Sequence, residues 1–278
     1  MNILNKFMIP NKVVVITGGA GLLGRKHAEA VIEAKGIPIL LDISEAAIAH
    51  AKEELEAAYG EECRVEGYLA DITKHDSIER ISNELLNKFG HIDILINNAA
   101  NNPKVEGTAA NMKAIQFENF PLQMWLDDIA VGLTGAFVCA QVFGEVMAKA
   151  GGGVILNISS DLGIIAPDQR IYRKEGLSED EQTVKPVTYS VIKHGLIGMS
   201  KYLATYYADK GIRVNALCPA GVYNGQNDEF LSKLTNLIPM GRMAEVDEYK
   251  STILYLISDA SSYMTGSTVI VDGGRTCW

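Results

Sequence analysis

V-V-V-I-T-G-G-A-G-L-L-G, residues 13–24, passes from five apolar or β-branched residues into a glycine turn and then into a helical pattern. A short apolar run closed by glycines reads as a strand buried on both faces. In the turn, Gly18 permits the tight reversal, Gly21 lets the backbone approach a pyrophosphate, and Gly24 allows close helix–strand packing. Leu23 lies in the same loop. Strand, turn and helix N-terminus in that order gather free N–H groups where a dinucleotide phosphate binds.

The rest of the chain repeats this alternation. Apolar runs at 37–42, 65–71, 92–97, 153–159, 212–218 and 268–272 bring the expected strands to seven. Between them, 44–59, 73–89, 121–149 and 187–209 carry helical spacing. Strict alternation implies an α/β fold: a doubly wound parallel seven-stranded sheet, helices on both faces, right-handed crossovers. With no repeat, low-complexity tract or linker, residues 1–278 read as a single domain. Segments 101–120 and 161–186 exceed what the connections need, and they read as substrate loops at the carboxyl edge of the sheet.

Composition narrows the class. The net charge of −9, without a basic stripe, excludes nucleic-acid binding, and 47% hydrophobic content over 278 residues is ample for a core. Cys63, Cys139, Cys218 and Cys277 are scattered, with no C-x-x-C and no His at zinc spacing, so no metal is expected and the thiols suit a reducing compartment. The opening M-N-I-L-N-K-F-M-I-P is too short and polar for a signal peptide, and no apolar run reads as membrane-spanning. The expected location is cytoplasmic, with no membrane partner.

Strand ends carry the chemistry. Asp42, 18 residues beyond Gly24, is placed to accept from adenosine ribose hydroxyls and repel a 2′-phosphate, which favours NAD over NADP. Asp71 is a candidate adenine contact, with Ile72 against the ring. Asn97, Asn98, Ala99 and Ala100 follow the fourth strand; the small residues let the chain pass close to a cofactor while the asparagines tie strand ends. Asn157, Ser159 and Ser160 end the fifth strand, where a hydroxyl can donate to a developing alkoxide. Tyr189 and Lys193 stand one helical turn apart, so the ammonium is expected to lower the phenol pKa toward a working range.

Glycine turn, strand-end aspartate, N-N-A-A, N-I-S-S, Y-x-x-x-K and a proline-led turn after the sixth strand occur here in fixed order. Together they resemble the short-chain dehydrogenase/reductase superfamily over essentially the whole chain. The resemblance implies a Rossmann-type domain, NAD(P) and hydride transfer at an alcohol or carbonyl carbon. It makes Tyr189 the general acid/base, has Lys193 lower its pKa and bind the nicotinamide ribose, and has Ser160 polarise the carbonyl. Pro219 and Val222, in P-A-G-V-Y-N, match the turn that holds the carboxamide. A homotetramer or homodimer through 121–149 and 187–209 is implied as well.

Several positions depart from that pattern. Compact members carry an asparagine where V-G-L-T-G has Gly132, so a water or a close neighbour is expected there, with Lys193 passing protons through water alone. The spacing T-G-x-x-G-x-x-G is similar to the extended, nucleotide-sugar branch. The gap of 29 residues from Ser160 to Tyr189 holds Asp168, Gln169, Arg170, Arg173 and Lys174, then S-E-D-E at 178–181. Those cations either clamp a phosphate or carboxylate or form a surface turn neutralised by the acids. Ala220 and Asn224 replace the usual glycine and threonine of the proline turn. These features are similar to members tied to bacterial surface-glycan or flagellin-sugar pathways, which implies a sugar-like substrate. The expected function is an NAD-dependent oxidoreductase acting on a secondary alcohol or carbonyl. The alternatives are an NAD-retaining dehydratase or epimerase, and a non-catalytic cofactor-binding protein.

Overall fold

The computed structural model describes residues 2–60, 63–101 and 109–278. Seven parallel strands form one sheet: β1 (Val13–Thr17), β2 (Ile37–Asp42), β3 (Glu66–Leu69), β4 (Ile94–Asn97), β5 (Gly153–Ile158), β6 (Ile212–Pro219) and β7 (Thr268–Val271). Their order is β3-β2-β1-β4-β5-β6-β7. The connecting helices are α1 (Leu22–Glu33), α2 (Glu45–Tyr59), α3 (His75–Phe89), α4 (Ala109–Ala114), α5 (Leu122–Ile129), α6 (Gly135–Ala150), α7 (Val187–Tyr206), α8 (Asp228–Thr235) and α9 (Lys250–Ile257).

Two cores result from the period-two alternation of strand side chains. Val13, Val15, Ile39, Leu41 and Leu95 face one side, against Ile81 and Leu85 of α3 and Phe143 and Met147 of α6. Val14, Ile16, Leu40, Ile94 and Ile96 face the other, against Ala28 and Val31 of α1 and Ile253 and Leu256 of α9. Strands covered on both faces have no polar side, which is why their sequences read as unbroken apolar runs. Register is in step, with Val13 opposite Ile37 and Val14 opposite Ile94. The carboxyl ends therefore lie along one edge.

The stretch Leu122–Ala150 is one continuous helix, with a π-helical segment at Ala130–Thr134 joining α5 to α6. Contrary to the sequence reading, it is long and apolar enough to cross a membrane by length and composition. Half of its most apolar window is buried, and Val138, Phe143 and Met147 lie in the core. Of the expected loop at 101–120, residues 102–108 lie outside the described residues. The remainder includes α4 and a turn at Phe117–Asn119.

Candidate active site

Strand order reverses between β1 and β4, and that crevice is where an open α/β sheet binds its ligand. Gly18 takes a φ of 61°, and a Cβ there would stand 3.0 Å from the Cα of Ala99. Thr17 Oγ1 accepts the N–H groups of Asn98 and Ala99, each at 3.0 Å. Asn98 Nδ2 donates to the carbonyls of Thr17 and Gly18 at 3.0 and 3.2 Å. The two strand ends are thus laced together, and only small residues fit between them.

A Cβ on Gly24 would fall onto the Gly18 carbonyl oxygen, and one on Gly19 would meet Leu40 Cα at 2.8 Å. Gly21 is the N-cap of α1 and supplies no side-chain oxygen to its first N–H groups. A cradle without side chains, lined by free amides at a helix N-terminus, fits a pyrophosphate. Leu23 is half-buried in the first turn of α1.

Asp42 lies half-buried at the end of β2, and its Oδ1 accepts the Ser44 N–H at 3.3 Å. The neighbouring Ile43 is exposed and brings no charge. Asp71 is exposed; its Oδ1 accepts from the Thr73 hydroxyl and N–H at 2.6 and 2.9 Å, which holds the carboxyl below the usual range.

Two of the expected contact residues are engaged in packing. The Ile72 side chain lies in the core, directed at Gly135. Asn97 Nδ2 donates to Asn157 Oδ1 at 2.8 Å and to the Ala136 carbonyl at 3.3 Å, so its buried amide ties β4 to β5 and α6. It faces the packed side of the sheet end because side chains alternate along the strand.

Ser160, Tyr189 and Lys193 meet at the end of β5. Ser159 Oγ donates to the Lys193 carbonyl at 2.7 Å, and a Cβ on Gly163 would come within 2.9 Å of that carbonyl oxygen. The first turns of α7 are thereby held against the strand end. Lys193 is 5% exposed and its Nζ donates to the Ile158 carbonyl at 2.8 Å. Its Nζ stands 5.6 Å from the centre of the Tyr189 ring, and Lys185 Nζ stands 3.8 Å from it. Burial, then the charge of Lys185, pushes the Lys193 ammonium down to about 8. Burial also pushes Lys185 down to about 8.

The expected lowering of Tyr189 is not what this geometry produces. Burial raises the phenol, and the opposing influence is the Ser160 hydroxyl, not Lys193. Lys193 is turned onto a carbonyl and disfavoured as a cation, so it does little to hold a phenolate.

The insertion at 161–186 is a folded cover. Gln182 staples it, accepting the Lys174 N–H at 2.9 Å and donating to the carbonyls of Lys174 and Leu177 at 3.1 and 2.9 Å. The Tyr172 ring packs 5.5 Å from Phe230 of α8. Of the candidate clamp, Arg170 is paired with both oxygens of Asp168 at 2.8 and 2.7 Å, and Arg173 with Glu179 at 2.6 Å. The acids in and after the run neutralise these two arginines, and Lys174 is exposed. The proline turn is intact: Pro219 is buried beside Val271, and half-buried Val222 bridges to Ala244.

Gly132 lies in the π-helical segment, where a Cβ would come within 2.7 and 2.8 Å of Cγ2 and Cδ1 of Ile192. Of the two occupants expected there, the structure has the close neighbour. Gly132→Asn is therefore expected to destabilise the fold by about 1–3 kcal/mol through overpacking, measured by denaturant unfolding. Adding Ile192→Ala should recover part of that loss.

The sequence reading missed Asp161 and Lys185. Asp161 is 8% exposed, accepts from Ser160 Oγ at 2.7 Å, and is raised by burial. Its signal was an acid immediately after the strand-end serine. Lys185 is distant in sequence from that serine and carried no signal.

A family model described as short chain dehydrogenase matches residues 12–172, and one described as enoyl-(acyl carrier protein) reductase matches 176–276. The chain is 33% identical over 280 residues to an NAD-dependent glycerol dehydrogenase of Listeria innocua, covering 97% of this chain and 96% of that protein. It is 32% identical over 287 residues to an NADP-dependent mannitol dehydrogenase of Hypocrea jecorina, covering 99% and 96%. The crystal structure of gox2181 superposes with a TM-score of 0.86 at 28% identity, covering 99% of this chain and all of that one. From glycine cradle to closing strand, this chain belongs to the short-chain dehydrogenase/reductase superfamily.

Proposed function

We propose that the protein is an NAD-dependent dehydrogenase that interconverts a secondary alcohol and a carbonyl on a polyol, sugar or sugar derivative. The observation that carries this reading is the meeting of Ser160, Tyr189 and Lys193 at the sheet edge beside the glycine cradle. A bound nicotinamide cofactor supplies or accepts the hydride. Tyr189 exchanges the proton with the substrate oxygen, Ser160 donates a hydrogen bond to that oxygen, and Lys193 holds the sugar end of the cofactor against the strand. Gly18, Gly21, Leu23, Gly24, Ala99, Pro219 and Val222 surround the cofactor.

Similarity to glycerol and mannitol dehydrogenases supports a polyhydroxylated substrate. The test is reaction with polyols, sugars and sugar phosphates, followed through NADH. Failure of every one would sink the reading. Net NADH formation also separates it from an enzyme that returns its hydride, the alternative that the glycine spacing favours.

The two relatives differ in cofactor, and Asp42 next to uncharged Ile43 supports NAD. Asp42→Ala is expected to raise KM for NAD by roughly 10- to 100-fold, the equivalent of losing a charged hydrogen bond, with a smaller effect on NADP. An equal effect on both cofactors would remove Asp42 from the ribose site. Exposed Leu122, Leu126 and Phe137 on α5 and α6, with Tyr202 and Tyr206 on α7, support a homo-oligomer through these helices.

A further inference from the structure

The Ser160 hydroxyl has one proton and two neighbours that would take it. Its Oγ lies 2.7 Å from Asp161 Oδ1, and it also acts on the Tyr189 phenol. The Leu162 N–H points at both Ser160 Oγ and Asp161 Oδ1, at 3.2 and 2.8 Å, so serine and carboxyl are held as one unit. Asp161 is 8% exposed and Ser160 5%, leaving little room for water to stand in as a partner.

An ionised carboxylate only accepts. While Asp161 is charged, the serine proton is committed to it, and the hydroxyl cannot also donate to a substrate oxygen. A protonated Asp161 reverses the chain: its O–H donates to Ser160 Oγ, and the serine O–H is released toward substrate. Asp161 takes up one proton from solvent, the Ser160–Asp161 hydrogen bond reverses direction, and no bond to carbon changes.

We propose that Asp161 is a positioning residue that sets the donor direction of Ser160, so that the serine presents its proton to the substrate oxygen only when the carboxyl is protonated. The inference rests on the dehydrogenase reading for its kinetic arm, while its spectroscopic arm does not.

The charges around Asp161 are mixed. Arg275 and Asp272 face it from the segment after β7, the first favouring the charged form and the second opposing it. Cys218 of β6, Tyr189 of α7 and Tyr249 are in electrostatic reach, as are Tyr172 and Lys185 from the insertion. Burial is the largest influence and lifts Asp161 above the ordinary carboxylate range.

The first test needs no substrate. Protein labelled with ¹³C at aspartate carboxyls is titrated by NMR, and Asp161 is identified by the resonance missing in Asp161→Asn. Ser160→Ala should raise the Asp161 midpoint, because the donor that stabilises its charged form is gone. An unmoved midpoint overturns the proposal.

The second test follows kcat for reduction of dihydroxyacetone by NADH against pH. Wild type should lose at least about tenfold as pH rises through the Asp161 titration, in keeping with loss of one oxyanion donor. Asp161→Asn should abolish that limb and Asp161→Glu should restore it. In a Ser160→Ala background, Asp161→Asn should have no further effect on the profile. A limb at the Asp161 midpoint that survives Asp161→Asn overturns the proposal. Failure of dihydroxyacetone and other ketoses to react would count against the dehydrogenase reading, and the NMR titration would still decide the role of Asp161.

Discussion

Tyr189→Phe is expected to lower kcat by roughly 10²- to 10⁴-fold, the range associated with a positioned general acid/base, with KM for the cofactor changed little. The ring stays, so its packing beneath Lys185 and the start of α7 is preserved; only the proton-bearing oxygen is lost. Because burial raises the phenol, alcohol oxidation by wild type should accelerate with rising pH, as more of the phenolate base forms. Carbonyl reduction should show the opposite slope at the same limb. Steady-state rates in both directions across pH check this. If Tyr189→Phe retained more than about a tenth of wild-type kcat, the phenol would not be the proton carrier. Unchanged cofactor binding with no activity in wild type would instead favour a binding protein.

Lys193→Met is the second large effect, and it acts in opposite senses on activity and stability. Activity should fall by roughly 10²-fold or more, since nothing else on α7 can replace an ammonium at that depth. Stability at pH 7 should rise. Burial holds Lys193 at about 8 against an ordinary value of 10.5, so the folded state binds its proton less tightly than the unfolded state does. That difference corresponds to about 3 kcal/mol, offset by about 1 kcal/mol for the lost hydrogen bond to the Ile158 carbonyl.

The sign follows from linkage. Between about 8 and 10.5 the unfolded chain carries more protons at this site than the folded one, so wild-type stability climbs with pH through that window. The advantage of Lys193→Met, about 2 kcal/mol at pH 7, should therefore shrink above pH 8 and disappear by about pH 10.5. Urea unfolding of both proteins at pH 7 and pH 10 measures it. A variant less stable than wild type at pH 7 would mean that the buried ammonium is better satisfied than its surroundings suggest.

Much of this fold was legible one strand at a time. The runs at 13–17 and 37–42 coincide with β1 and β2, because a strand buried on both faces needs apolar residues throughout and glycine or aspartate at its end. β3 is shorter than its run at both ends, and β4 begins two residues inside its run. The glycine cradle was legible for the same local reason. Gly18 needs its positive φ, and Gly24 has no room for a side chain.

The contacts made across the fold were not legible. Nothing about Ile72 in the chain says which face of the sheet end it occupies, and it turned into the packing. Arg170 and Arg173 looked like a clamp until their partners, Asp168 and Glu179, were placed beside them.

By itself the sequence determined the parallel sheet, its carboxyl edge as the ligand side, and the order in which cradle, serine, tyrosine and lysine reach that edge. Those follow from local patterns and from the handedness of crossovers. Only the tertiary structure decided that Ile192 occupies the space beside Gly132, that Tyr189 is raised instead of lowered, and that Ser160 Oγ lies against the Asp161 carboxyl. Each depends on burial and on neighbours brought together by folding, and pKa and hydrogen-bond direction respond to those distances.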